Sequence, residues 1–179
     1  FRNIRLNEAS TTPSLAITQN GLGDFVGDLA IIDSVFTAPN TEFSFNFNGS
    51  LLIRDTAIEA QEIDAYLSFG QLTLHGSQLV SDGSMTLSAP MGLDFNDAVA
   101  QSLSSYVDLR HENPELTPGA SAYPGSSTVV LNSRIIADTA DMEWQFGPDT
   151  TVLFANSTVQ ADNLIDNTFD DGMRVNLHG

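Results

Sequence analysis

The sequence contains no cysteine. Disulfides, thiolate nucleophiles, zinc–thiolate sites and iron–sulfur clusters are therefore excluded. It also contains no lysine: all six cationic side chains are arginines, set against 23 Asp and Glu, for a formal net charge of −17. Without lysine there is no Schiff-base chemistry and no phosphate-loop lysine. Acidity of this size repels nucleic acid and anionic membrane surfaces. No run of apolar residues is long enough for a membrane-spanning helix, so no membrane span is expected.

What is present is a chain of 179 residues, 41% hydrophobic and only 16% charged. That is too apolar for a disordered acidic tail and long enough for one domain with a real core. The polar fraction is mostly Ser, Thr, Asn and Asp, which suit turns and exposed strands better than helices. The chain begins at Phe1 rather than Met. That fits either a fragment or a chain whose leader has been removed, and a removed leader implies export.

The most informative feature is self-similarity. Five segments align: Ile31–Ala38, Ile53–Ala60, Leu74–Ser81, Leu131–Asp138 and Phe154–Ala161. Their first column is apolar (Ile31, Ile53, Leu74, Leu131, Phe154), and the third holds turn formers (Asp33, Asp55, Gly76, Ser133, Asn156). The sixth is apolar again (Phe36, Ile58, Leu79, Ile136, Val159), and the eighth is small except at Asp138. A period of about 22 residues with strand-like apolar columns is how a β-solenoid reads, because one turn cannot bury its inner face alone. A β-sandwich is the alternative, since alternation such as Phe43-Ser44-Phe45-Asn46-Phe47 suits either fold. The expected class is all-β with one short helix, β-solenoid-like in stacked turns of about 22 residues.

A helix–loop insertion is expected at about 90–128. Phe95, Val99, Leu103 and Tyr106 recur at helical spacing, with Asp94 or Asn96 available as a cap, so the pattern predicts a helix over about 95–107. After it, the stretch beginning His111-Glu112-Asn113-Pro114 and containing Tyr123 reads as a long surface loop. Residues 21–179 then form a single β domain. Residues 1–20 form an extended arm carrying two of the six arginines, Arg2 and Arg5, on an otherwise acidic chain. Such an arm suits a donor strand for another subunit, with Phe1, Ile4, Leu6, Leu15 and Ile17 as candidate interface residues. An ordinary first edge strand is the alternative.

No motif marks a catalytic centre. Gly-x-Ser-x-Gly is absent, the three histidines are far apart, and no pair of carboxylates is singled out by spacing. The acidic stretch Asp162–Asp171 fails the register of a calcium loop, so no metal and no cofactor is expected. Tyr123 and Trp144 are the candidate ligand-binding aromatics, with Tyr66 as a further surface candidate, for a glycan or other surface partner. Residues adjacent on a strand face opposite ways, which separates Trp144 from Glu143 and favours a core position for the indole.

The segments Gly49-Ser50-Leu51-Leu52-Ile53-Arg54-Asp55-Thr56 and Gly76-Ser77-Gln78-Leu79-Val80-Ser81-Asp82-Gly83-Ser84 resemble the Thr/Ser/Asn-rich β repeats of exported bacterial fibre-forming and pilus-system surface proteins. The acidic, lysine-free and cysteine-free composition is similar to theirs as well. A leading Phe is also found in mature type IV pilins, but Arg2, Asn3, Arg5, Asn7 and Glu8 preclude the long apolar helix with which those begin. The resemblance implies a secreted or cell-surface structural subunit that is not an enzyme. Such a subunit assembles with copies of itself into a filament or surface layer. The alternative is a surface adhesin or carbohydrate-binding module.

Overall fold

Side chains alternate strictly between interior and exterior along most of the chain, as period-two strands require. The computed structural model describes residues 2, 5–7, 14–18, 27–111, 126–138, 141–146, 151–169 and 174–178. Two short strands come first, β1 (Arg5–Asn7) and β2 (Ser14–Thr18). Then come β3 (Leu29–Ile32), the long β4 (Val35–Asn48), β5 (Leu51–Arg54), the long β6 (Ala57–Phe69), β7 (Leu72–His75), β8 (Gln78–Ser81) and β9 (Met85–Ser88). The chain continues through β10 (Gly92–Asn96), β11 (Val99–Ser102), β12 (Val107–Arg110), β13 (Ser127–Leu131) and β14 (Arg134–Ala137). It ends with β15 (Asp141–Phe146), β16 (Thr151–Ala155), β17 (Thr158–Gln160), β18 (Asn163–Phe169) and β19 (Arg174–His178).

Every pairing among these strands is parallel. That rules out the antiparallel sandwich and makes the protein a β-solenoid with turns of about 22 residues. Three walls enclose the core. The first is a 7-stranded sheet, β3-β5-β7-β10-β13-β16-β19. The other two belong to one 12-stranded sheet, because β4 and β6 run on through the corner between them. The first part of β6 pairs with β8 and its second part with β9.

Each wall carries inward columns. In the first wall Ile31, Ile53, Leu74, Phe95, Val130 and Phe154 stand in register, all 6% exposed or less. In the second, Phe36, Ile58, Leu79, Ala100 and Ile135 form a buried column. In the third, Phe43, Ile63, Met85 and Val107 do the same. Burying one such large aliphatic or aromatic side chain contributes about 1.5–3 kcal/mol, and every turn adds several. Bulk is compensated between turns. Phe43 packs on Phe36 and Phe45 at ring separations of 5.2 and 5.0 Å, while Ala65 is the register partner of Phe45 in the next turn.

The corner between the first two walls is built the same way in each turn. One residue takes the left-handed conformation, at φ near 50°: Asp33, Asp55, Asp97, Asn132 and Asn156, with Gly76 at 58° in the remaining turn. Asp, Asn and Gly are the residues that tolerate this conformation. The next residue contributes a buried hydroxyl. Thr56 Oγ1 accepts from the Ser34 amide at 3.2 Å, and Ser77 Oγ accepts from the Thr56 amide at 3.2 Å. Ser133 Oγ accepts from the Ala98 amide at 3.0 Å, and Ser157 Oγ accepts from the Ser133 amide at 3.1 Å. Each of these hydroxyls also reaches the carbonyl two residues before its own residue: Arg54, His75, Leu131 and Ala155. The result is a hydroxyl ladder along the axis, with Ala98 as the one rung among the described residues that has no hydroxyl.

The corner from the third wall back to the first is glycine-dependent. A Cβ at Gly70 would lie 2.3 Å from the Gly49 carbonyl oxygen, and one at Gly92 would lie 2.2 Å from that of Ser127. Both glycines also have φ near 130°.

Two expectations are corrected. Among the described residues there is no helix; residues 95–107 belong to β10, β11 and β12. Phe95 is indeed interior, but the buried positions after it are Ala98, Ala100, Ser102 and Val107. Leu103 and Tyr106, which completed the helical pattern, are 40% and 42% exposed at a corner. The insertion in the repeat is therefore shorter than 90–128, because Gly92–Arg110 forms a regular turn. The repeat also contains a register error of one residue. Val130, not Leu131, stands between Phe95 and Phe154, which makes Asn132 the turn residue and places Ala137, not Asp138, in the small column.

Candidate functional site

The third wall carries a cluster of polar side chains. Glu62, Asp64 and Tyr66 alternate on β6 with the buried Ile63, Ala65 and Leu67, so they point outward. Parallel register places Thr86 beside Asp64 and Asp108 beside Thr86, in one column. A second column, two residues along, holds Asn46, Tyr66, Ser88 and Arg110. On β9 and β12 the usual alternation stops. Thr86 and Ser88 are buried although they lie on the outer side, and Asp108 is only 1% exposed.

Withdrawal from water sets the chemistry of these groups. Burial pushes the Asp64 carboxyl up from 3.8 to about 6; the Thr86 hydroxyl opposes the shift, and the charges of Glu42 and Glu62 add to it. Burial also raises the Tyr66 phenol, with Thr86 again opposing, so that the ring keeps its proton at neutral pH. Arg110 Nε donates to Asp108 Oδ2, and a guanidinium nitrogen reaches the same oxygen, so this pair is locally neutral. The cluster therefore offers hydroxyl and phenol groups beside a carboxyl that takes up its proton near pH 6.

A second polar group lies inside the solenoid. His111 is fully buried, with Nε2 in contact with Thr128 Oγ1 and Nδ1 at 3.2 Å from Ser126 Oγ. Thr128 occupies an inward column that holds Leu51, Leu72, Leu93 and Val152 in other turns. Burial pushes the imidazole down from 6.5 to about 4, so it is neutral at pH 7. His111 thus belongs to the core rather than to a surface loop. Its two hydroxyl partners replace the water that it gives up.

The residues singled out from sequence fall in different places. Leu6 lies in β1, and Leu15 and Ile17 lie in β2; both strands pair with β4 of the same chain. Of the two readings of this stretch, a donor arm or an ordinary first edge strand, these pairings are those of an edge strand on its own stack. Phe1, Ile4 and Tyr123 lie outside the described residues. Trp144 in β15 is the register partner of Leu109 of β12. Among the described side chains, the aromatic candidate Tyr66 joins the polar cluster. Asp64, Thr86 and Asp108 were not singled out, although they are spaced at 22 residues, as are Tyr66, Ser88 and Arg110.

Among the described residues no group of three or more His, Asp or Glu is placed to hold a metal ion. No described helix is long and apolar enough to cross a membrane. No family model, curated protein or solved structure matches the chain, so function rests on geometry alone.

Proposed function

We propose that this protein is a structural subunit of an extracellular filament or surface layer, built by stacking β turns of one copy on those of the next. One observation carries the reading: the contacts between turns repeat along the axis. Inward columns, left-handed corners and hydroxyl ladder recur, so a further turn could add by the same interactions. Among the described residues β19 pairs only with β16, β17 only with β14 and β18 only with β15, so each wall ends in a strand with a neighbour on one side. The charge of −17 would keep finished assemblies apart. The test is negative-stain microscopy together with sedimentation over a concentration series. Filaments or sheets support the reading, and a monodisperse monomer at every concentration would overturn it.

A second reading has its own observation. The cluster of Asp64, Tyr66 and Thr86 combines an aromatic ring with hydroxyl groups and a carboxylate, a combination suited to the hydroxyls of a sugar. In this reading the solenoid displays a glycan-binding wall, as a surface adhesin would. A glycan array probed with the protein and with Tyr66→Ala tests it, and binding that survives the substitution sinks it.

A further inference from the structure

Leu103 and Tyr106 stand on one corner, between the second and third walls, and are 40% and 42% exposed. The hydrogen bonds at this corner fix their neighbours. The amides of Asp82, Leu103 and Asp138 donate to the carbonyls of Ala60, Ser81 and Ser102, each one turn earlier. Leu103 therefore sits between Asp82 and Asp138 along the axis. The Tyr106 carbonyl accepts from the Met85 amide, which puts Tyr106 at the start of the third wall. Two large apolar side chains in water, three residues apart on one corner, offer an anchor for a partner.

The charge around this pair has one sign. Glu59 lies in the outward column of the second wall nearest the corner. Glu42 and Glu62 are register partners in the outward column of the third wall nearest it. All three are exposed, as is Asp82. Asp138 accepts from Gln101 Nε2 at 2.6 Å, a neutral partner that leaves its charge in place. No arginine stands in these columns. Arg2, Arg54 and Arg174 lie on the first wall, and Arg5 and Arg134 in the column of the second wall farther from the corner. Arg110 lies in the far column of the third wall. Carboxylates directly opposite one another, such as Glu42 and Glu62, repel, so a cation brought from outside relieves them.

We propose that this corner docks a cationic polypeptide segment that carries an aliphatic or aromatic side chain. The apolar side chain rests on Leu103 and Tyr106, while Lys or Arg residues beside it meet Glu62, Asp82 and Asp138. Complementary charge steers the encounter and sets the register, and the apolar pair holds the contact. A second copy of this chain fits less well. Two such corners would bring carboxylates together, and Arg2, Arg54 and Arg110 already face Asp33, Asp55 and Asp108. The proposal concerns a single copy and does not rest on assembly into filaments.

The test uses a fluorescein-labelled peptide of alternating arginine and leucine, read by fluorescence anisotropy. A peptide with the same number of arginines and no leucine is the comparison. The arginine–leucine peptide should bind on the order of tenfold more tightly. Leu103→Ser combined with Tyr106→Ser, both at water-exposed positions, should remove that difference while the unfolding midpoint stays that of the wild type. Asp82→Asn should weaken binding of both peptides severalfold. Asp97→Asn makes the same change in net charge at the corner between the first and second walls, where Asn132 and Asn156 take the same backbone conformation in other turns. It should leave binding unchanged.

Equal losses from Asp82→Asn and Asp97→Asn would mean attraction to net charge alone, and would overturn the proposal. Equal affinity for the two peptides, or a leucine advantage that survives the double substitution, would overturn it as well. A dimer in sedimentation that the double variant loses would make a second copy the occupant in place of a cationic partner.

Discussion

The Ser34 amide donates to the Thr56 hydroxyl at 3.2 Å, across 22 residues of sequence and one turn of the solenoid. That single contact contains the period, the parallel direction and the inward corner of the fold. It recurs wherever a hydroxyl follows the left-handed residue. Ala98 interrupts the series in a site of the same shape. Ala98→Ser should supply an acceptor for the Ser77 amide and raise stability by about 1 kcal/mol. Thr56→Val should cost about 1–3 kcal/mol, because it strands the Ser34 amide in the core. Urea unfolding of both variants checks the pair of signs.

Close approach at the glycine corner predicts a contrast. Gly70→Ala should destabilise by about 3 kcal/mol or more, since the new methyl meets the Gly49 carbonyl at 2.3 Å and φ is unfavourable. At Gly83 the nearest atom, the Gln61 carbonyl oxygen, is 3.0 Å away. Gly83→Ala should therefore be much milder. Thermal melts of the two variants side by side measure the difference.

Asp64 has its folded pKa raised, from 3.8 to about 6. Its contribution to stability is full below 3.8 and is lost as pH rises through about 6. Glu42 and Glu62 are the carboxylates that add to the shift, while the neighbouring Arg110 is already paired with Asp108. Asp64→Asn should therefore be more stable than the wild type at pH 8, with the difference shrinking toward pH 4. A wild-type protein equal to the variant at every pH would contradict the burial of this carboxyl.

His111 works in the opposite sense. Its folded pKa is depressed, from 6.5 to about 4. The stability it contributes is present above 6.5 and is lost as pH falls through about 4, up to about 3 kcal/mol for a group so buried. His111→Gln keeps hydrogen-bonding groups near Ser126 and Thr128 but cannot titrate. Its denaturation midpoint should fall less than that of the wild type between pH 7 and pH 4.

Much of this architecture can be read in the residues themselves. Ile31, Ile53, Leu74 and Phe154 mark one column because each is a large apolar residue two positions before a turn former. Asp33, Asp55, Gly76 and Asn156 mark the corners because few residue types accept their backbone conformation. The turn at Gly92–Arg110 is hidden for the converse reason. Ala98, Ala100 and Ser102 fill its interior with side chains that carry little hydrophobic signal, while Leu103 and Tyr106 place strong signal outside. The slip from Val130 to Leu131 arises in Val129-Val130-Leu131, where three consecutive apolar residues erase the alternation that fixes a register. The polar cluster is less legible still. Asp64 meets Thr86 only if both the period and the facing parity are known, and neither residue type stands out alone.

From Phe95 to Val130 the column advances one rung in 35 residues, where the preceding step from Leu74 takes 21. The extra sequence leaves the axial geometry unchanged, because β10 and β13 pair residue for residue as other neighbours do. The rung spacing is therefore insensitive to the length of sequence between His111 and Ser126. A foreign peptide or reporter spliced between those two residues should leave the number of rungs unaltered. Length along the axis and cargo beside it can be engineered separately in this protein.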